Sequence, residues 1–405
     1  MKLQPKNWHP GMLLILFFSI LLLGCGNPSH NNNNSNSSES WIQSDSPKAF
    51  VIGMQGESGV FGLIDVNTLK FKPSVGPVSN DAVARAAHGH VFVINRLTHD
   101  NIQVMEPPSF QLTKQFSVGS QTNPQDIIVL STSKAYVSRL AEGKILIVNP
   151  LTGAMLGSID LSSLSESTGE SCQNGESCKS KSCINGMCAK DGIPEVATMY
   201  QHNSYIWVAV QRLNRNKRFS AEDKGILAII DTSNDKLLKT IETSGMNPYQ
   251  FRANQGTLYV SQPGNWMDGT KVVLDGQIES YDLATMKKVK TVLTEETLQG
   301  NLVSFVVLSE TQGYVIRSGQ NWKTELLRFN PKTGQLGTVL KVSKCVANNA
   351  CYSFVGMDIH SSGKLFIMDR DPKNPGVRVF DTNTDKELTT TPLHIGLPPM
   401  SVTFY

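Results

Sequence analysis

The stretch Gly225–Pro248, GILAIIDTSNDKLLKTIETSGMNP, decides the fold. Ile226 to Ile230 is a short apolar run that ends at Asp231, and Leu237 to Ile241 is a second. Short runs rich in β-branched residues, bounded by Gly, Asp, Ser and Asn, predict two strands joined by a turn rather than a helix. Asp231 suits that turn, because its carboxylate can accept backbone N–H groups two or three residues on. Asn247-Pro248 then opens a new segment, since the residue before a proline avoids the α region. Tyr205–Val210, YIWVAV, supplies another strand just upstream.

The unit recurs along the chain. Its turn residues stand at 65, 106, 149, 231, 282, 330 and 381, as in Asp65-Val66-Asn67-Thr68, Asn149-Pro150-Leu151-Thr152-Gly153 and Asp381-Thr382-Asn383-Thr384. Glu106-Pro107-Pro108-Ser109 is a degraded copy. Each turn follows an apolar strand such as Val377–Phe380, with a further strand such as Val91–Ile94 or Leu365–Met368 before it. A repeat of about 40–50 residues with four short strands predicts propeller blades, because one small sheet cannot bury both faces until neighbours pack on it. The wide gap between 149 and 231 leaves room for a lost repeat or, on the favoured reading, for a cysteine-rich insertion at 161–192. Ala49–Ile52 reads as the second strand of a blade and Pro398–Tyr405 as the first, so the two ends are expected to complete one blade. The fold expected over 48–405 is therefore all-β, a seven-bladed β-propeller with a small disulfide-rich insertion.

The order of the pieces resembles YVTN-type seven-bladed propeller repeats, most closely at Ala135-Tyr136-Val137-Ser138 and Leu258-Tyr259-Val260-Ser261. That resemblance implies an architecture and says little about activity.

Residues 1–24 read as an export signal. Lys2 and Lys6 precede the apolar run Leu13–Leu23, which is too short to span a bilayer and right for a signal sequence. Leu22-Leu23-Gly24-Cys25 resembles the bacterial lipobox, which implies an acylated Cys25 and a stable lipid anchor. Gly26, rather than Asp, follows that cysteine, and by the same resemblance this implies the outer membrane of the cell envelope. The Asn- and Ser-rich stretch up to residue 47 cannot form a core and is expected to be a tether reaching about 25 Å. The chain holds 37 Lys and Arg against 34 Asp and Glu, and removing residues 1–24 takes away two lysines. The remaining near-neutral balance argues against a nucleic-acid partner.

Apart from Cys25, the cysteines are Cys172, Cys178, Cys183, Cys188, Cys345 and Cys351. In an exported chain an even number points to disulfides, and no C-x-x-C favours zinc. A bridge from Cys345 to Cys351 would staple one loop. The other four allow three pairings, which the spacing leaves open.

Candidate binding residues fall on one face. Loops entering first strands, and loops joining second to third strands, share a side, and the insertion lies there. Arg96, Arg139, Arg212, Arg317 and Arg370 end second strands, while Asp81, Asp126 and Glu195 start first strands, with Gln250 and Ser304 in like positions. They could form a guanidinium collar for an anionic or sugar ligand, flanked by Trp266 and Trp322 as stacking faces. The favoured reading is that the arginines pair with the carboxylates and tie the blades together. His88 and His90 flank Gly89 in an expected turn, and Asp223, Asp268 and Asp275 read as solvated loop acids. No nucleophile, metal or phosphate motif is present, so no cofactor is expected. The functions in contention are a non-catalytic scaffold binding protein or glycan, and a lactonase-like hydrolase or lyase with its acids at the channel mouth.

Overall fold

The computed structural model describes residues 39–268, 271–319, 322–344 and 352–405. Cys25, Cys345 and Cys351 lie outside the described residues, and so does the side chain of Asp268.

The turns form as their acids dictate. Asp65 Oδ1 accepts the N–H groups of Asn67 at 3.0 Å and Thr68 at 2.8 Å, and Asn330 Oδ1 accepts those of Lys332 and Thr333. Asp231 takes Ser233 N–H, Asp282 takes Thr285 N–H, and Asp381 takes Asn383 and Thr384. In the stretch quoted above, the strands Lys224–Asp231 and Lys236–Met246 pair with Ile230 opposite Leu237. Glycine is needed at 225, where a Cβ would collide with the ring of Pro248.

Among the described residues these hairpins assemble into seven four-stranded antiparallel sheets. Six run consecutively along the chain and begin with the strands Ala82–Ala87, Pro124–Ser131, Val196–His202, Phe251–Asn254, Asn301–Val307 and Phe354–Ile359. The remaining sheet, first in the chain, joins Pro399–Phe404 to Lys48–Gln55, Ser58–Asp65 and Phe71–Val78. There Val51 lies opposite Val402 and Phe50 opposite Thr403. Each first strand touches the first strands of the sheets on either side, and Pro399–Phe404 touches both Phe354–Ile359 and Ala82–Ala87. The ring is closed, and the fold is a β-propeller.

The core has the form this geometry requires. It consists of apolar layers between neighbouring sheets rather than one central mass. Phe50, Ile52 and Leu63 of the first sheet pack with Val91 and Val93 of the second. Ala49, Val51 and Ile64, from the opposite face of that first sheet, pack with Phe366, Met368 and Val379 of the seventh. The alternation along Ala49–Ile52 thus feeds two different layers.

Polar latches at the turns reinforce the layers. Asp235 accepts from the Tyr136 hydroxyl and Lys134 of the preceding sheet, and Asp385 accepts from the Tyr314 hydroxyl at 2.6 Å and Arg328 at 2.9 Å. Both aspartates adopt left-handed backbone, φ 59° and 58°, which swings them out of their own turns.

Strand alternation sets two faces. The turns between third and fourth strands lie at one, here called the base. Residues 39–47 join there: Val66 N–H donates to Pro47 O at 3.0 Å beside the Asp65 turn. Connections into first strands lie at the other face, the top. The insertion leads into Val196–His202 and therefore stands on the top. It carries a small sheet of Ser167–Ser171, Met187–Ala189 and Cys183–Ile184, stapled by Cys172–Cys183 and Cys178–Cys188, an interlaced pairing.

Candidate functional site: the axial channel and the top face

Most first strands, such as Ala82–Ala87 and Phe354–Ile359, keep half-buried residues around the axis of the ring, while Asn301–Val307 is buried throughout. Four charged side chains meet around that axis. Arg85, on Ala82–Ala87, donates Nε to Asp126 Oδ1 at 2.9 Å and Nη2 to Asp126 Oδ2 at 2.5 Å, a forked pair across adjacent sheets. Asp126 Oδ2 also accepts Met199 N–H at 2.8 Å, so one carboxylate bridges three sheets. Arg252 stands 3.6 Å from Asp358 and donates to Met357 O at 3.3 Å. Desolvation opposes the charge on Arg85, but Asp126 and the more distant Asp358 outweigh it and hold the guanidinium above its ordinary pKa. Arg85 keeps 38% of its side-chain exposure while Asp126 keeps 7%, so the acid is covered and the base faces the channel. Sequence reasoning singled out Asp126 but not Arg85, Arg252 or Asp358. The available signal was a lone charge within each short first strand, AVARAA and FRAN.

The five arginines that end second strands do not converge on a common space. Arg96 is 2% exposed and pairs with Asp81 of its own sheet at 2.6 Å and with Gln125 of the next. Arg139 donates to Val118 O and pairs with Glu142. Arg212 donates to Lys224 O, and Arg317 pairs with Glu325. Arg370 donates to Pro398 O at 3.0 Å and Met54 O at 3.1 Å, tying the seventh sheet to the first, and burial pushes its pKa down to about 10. Trp266 and Trp322 stack on each other, 6.3 Å between centroids and 16° between planes, with Tyr352 edge-on to Trp266. Trp266 is 4% exposed, so its ring belongs to the apolar layer beneath.

Glu195 is fully buried, with its backbone in the left-handed region at φ 50°. It accepts Leu213 N–H at 2.8 Å and Arg215 Nε at 2.6 Å. Burial pushes its carboxyl up to about 8 against the pull of Arg215. Arg215 belongs to the loop that follows Val210, and that loop holds the insertion. Its backbone N–H donates to Asp191 at 2.8 Å. Lys190 pairs with Asp223 at 2.6 Å and Glu222 at 3.3 Å, and Asn216 donates to Lys190 O at 2.9 Å. The disulfide-stapled knob and the 212–224 loop therefore form one docked platform.

His88 and Gly89 both have positive φ, 48° and 74°, as the expected turn demands. Asp223 is engaged by Lys190, and Asp275 accepts Asn265 N–H at 2.8 Å.

No protein-family model and no curated protein sequence matches this chain. Solved structures do. A putative 6-phosphogluconolactonase from Bacteroides fragilis superposes with TM-score 0.57 at 12% identity, covering 91% of this chain and 100% of that one. Apo AztD from Citrobacter koseri superposes with TM-score 0.51 at 10% identity, covering 89% and 98%. At such identities the likeness is one of fold.

Proposed function

We propose that this chain is a lipid-anchored bacterial envelope protein whose seven sheets form the blades of a YVTN-type propeller. It acts as a non-catalytic scaffold that binds protein or glycan on its top face. Cys25 in Leu22-Leu23-Gly24-Cys25 carries the lipid, and residues up to 47 tether the propeller to the outer membrane. One observation carries the choice between scaffold and enzyme. The acids that a lactonase-like mechanism would draw on, Asp126 and Glu195, are covered and already engaged by Arg85 and Arg215. The docked knob supplies a rigid surface in their place.

Replacing Cys172–Cys188 by a short linker is expected to abolish capture of envelope partners while the propeller still unfolds cooperatively. Retention of every partner by that variant would sink the scaffold reading. Stoichiometric Ca²⁺ or Zn²⁺ in the purified protein, with hydrolysis of a lactone, would favour the enzyme.

A further inference from the structure

Among the described residues, eight of the twelve large exposed apolar side chains fall in the outermost segments of the sheets, while Met187, Val272, Leu274 and Tyr405 do not. Phe71 in the first sheet, Leu112 in the second and Leu156 in the third are 41%, 46% and 55% exposed. Leu238, Val289, Val339 and Leu388, one in each of the following sheets, are 52%, 59%, 45% and 42% exposed. All seven lie at or near the start of their sheet's outermost segment, just past the turn. Isolated exposed apolar residues need no explanation. At least one per sheet, with Met155 beside Leu156 in the third, makes a girdle around the base.

Lysines recur beside it. Lys114, Lys236, Lys287 and Lys386 each stand two residues from the apolar side chain of their sheet, and all four are exposed. An apolar side chain beside a flexible ammonium is the composition that settles at a lipid–water boundary, with the hydrocarbon below the phosphates and the cation among them. The turn aspartates share this face, so the apolar groups rather than net charge supply most of the attraction.

The same face receives the N-terminal segment, through the Val66 N–H to Pro47 O bond. Residues 1–38 precede the described chain and include Cys25. We infer that the girdle is a second membrane contact: the base of the propeller rests on the lipid bilayer that holds the Cys25 lipid, which orients the knob away from it. This rests on the lipoprotein reading.

The test uses the lipidated protein in vesicles of zwitterionic and anionic phospholipid. A fluorophore is placed by Leu238→Cys, Val289→Cys or Leu388→Cys, and by Met187→Cys on the knob as control. Flotation reports the lipid anchor, and quenching by bromine-bearing acyl chains reports depth. The expected result is co-flotation with at least threefold stronger quenching at the three base positions than at 187. The triple variant Phe71→Asp, Leu112→Asp, Leu156→Asp should still float but lose most of that difference. Co-flotation with equal quenching at base and knob overturns the girdle alone, and failure to float overturns the anchor and the girdle together.

Discussion

Glu279 and Glu166 are both fully buried, and their surroundings could hardly differ more. Glu279 sits in the fifth sheet amid donors: Gln262 Nε2 at 2.6 Å, Tyr281 hydroxyl at 2.5 Å, Gln277 Nε2 at 3.0 Å, with Lys288 and Ser244 closer still. Glu166, at the root of the insertion, has no partner for either carboxylate oxygen. Burial raises both carboxyls in principle. At Glu279 the bonds from Lys288, Ser244, Tyr281 and Gln262 outweigh it and hold the group below its ordinary value. At Glu166 burial, reinforced by Asp191, prevails over Arg212 and Lys190 and pushes it up to about 7. A buried carboxylate inside a repeated sheet is thus a structural tie, while one at the seam with the insertion is a liability that neutral pH exposes.

The largest effect expected from this contrast is that of Glu279→Ala. It leaves Lys288 and Tyr281 without their acceptor, and removing one partner of a buried charged network costs about 3–5 kcal/mol. Equilibrium denaturation should show the loss, and a change under 1 kcal/mol would make the network an ornament.

Glu166→Gln is next and acts through pH. The folded carboxyl at about 7 lies above the ~4.3 of a free glutamate. Between those values the folded state holds more protons than the unfolded, so stability falls as pH rises and the loss is complete above about 7. The penalty is about 3–4 kcal/mol. The variant should flatten the difference between denaturation midpoints at pH 5 and pH 8, and an unaltered difference would contradict the seam as its source. The Glu279 contribution has the opposite sign: it is present above about 4 and is lost as pH falls through the lowered folded value.

Asp385 lies between the extremes, half-exposed and engaged by Tyr314 and Arg328 of the adjoining sheet. Asp385→Ala should cost about 1–2 kcal/mol, since water can replace part of what is lost. A double-mutant cycle with Tyr314→Phe should show coupling, and strict additivity would mean that the latch carries no energy between sheets.

The repeat was readable because it is local. Asp65, Asp231 and Asp381 close their turns with N–H groups two or three residues away, so the spacing in the chain is the spacing in space. The first described strand and the last pair as their places in the repeat implied. The insertion's disulfides were evident as cysteines but not as pairs, because interlacing depends on how the knob folds back.

What the chain alone determined is periodic: short strands, acid-closed turns and a shared closing sheet. What the tertiary structure decided is every contact that crosses from one sheet to another. Arg85 reaches Asp126 and Asp126 reaches Met199 N–H, 73 residues further on, while the collar arginines turn to neighbouring carbonyls and acids instead of a common centre. Sequence distance carries no information about such pairs. Their geometry is set by how seven sheets pack around an axis, and burial then fixes which charges must find one another.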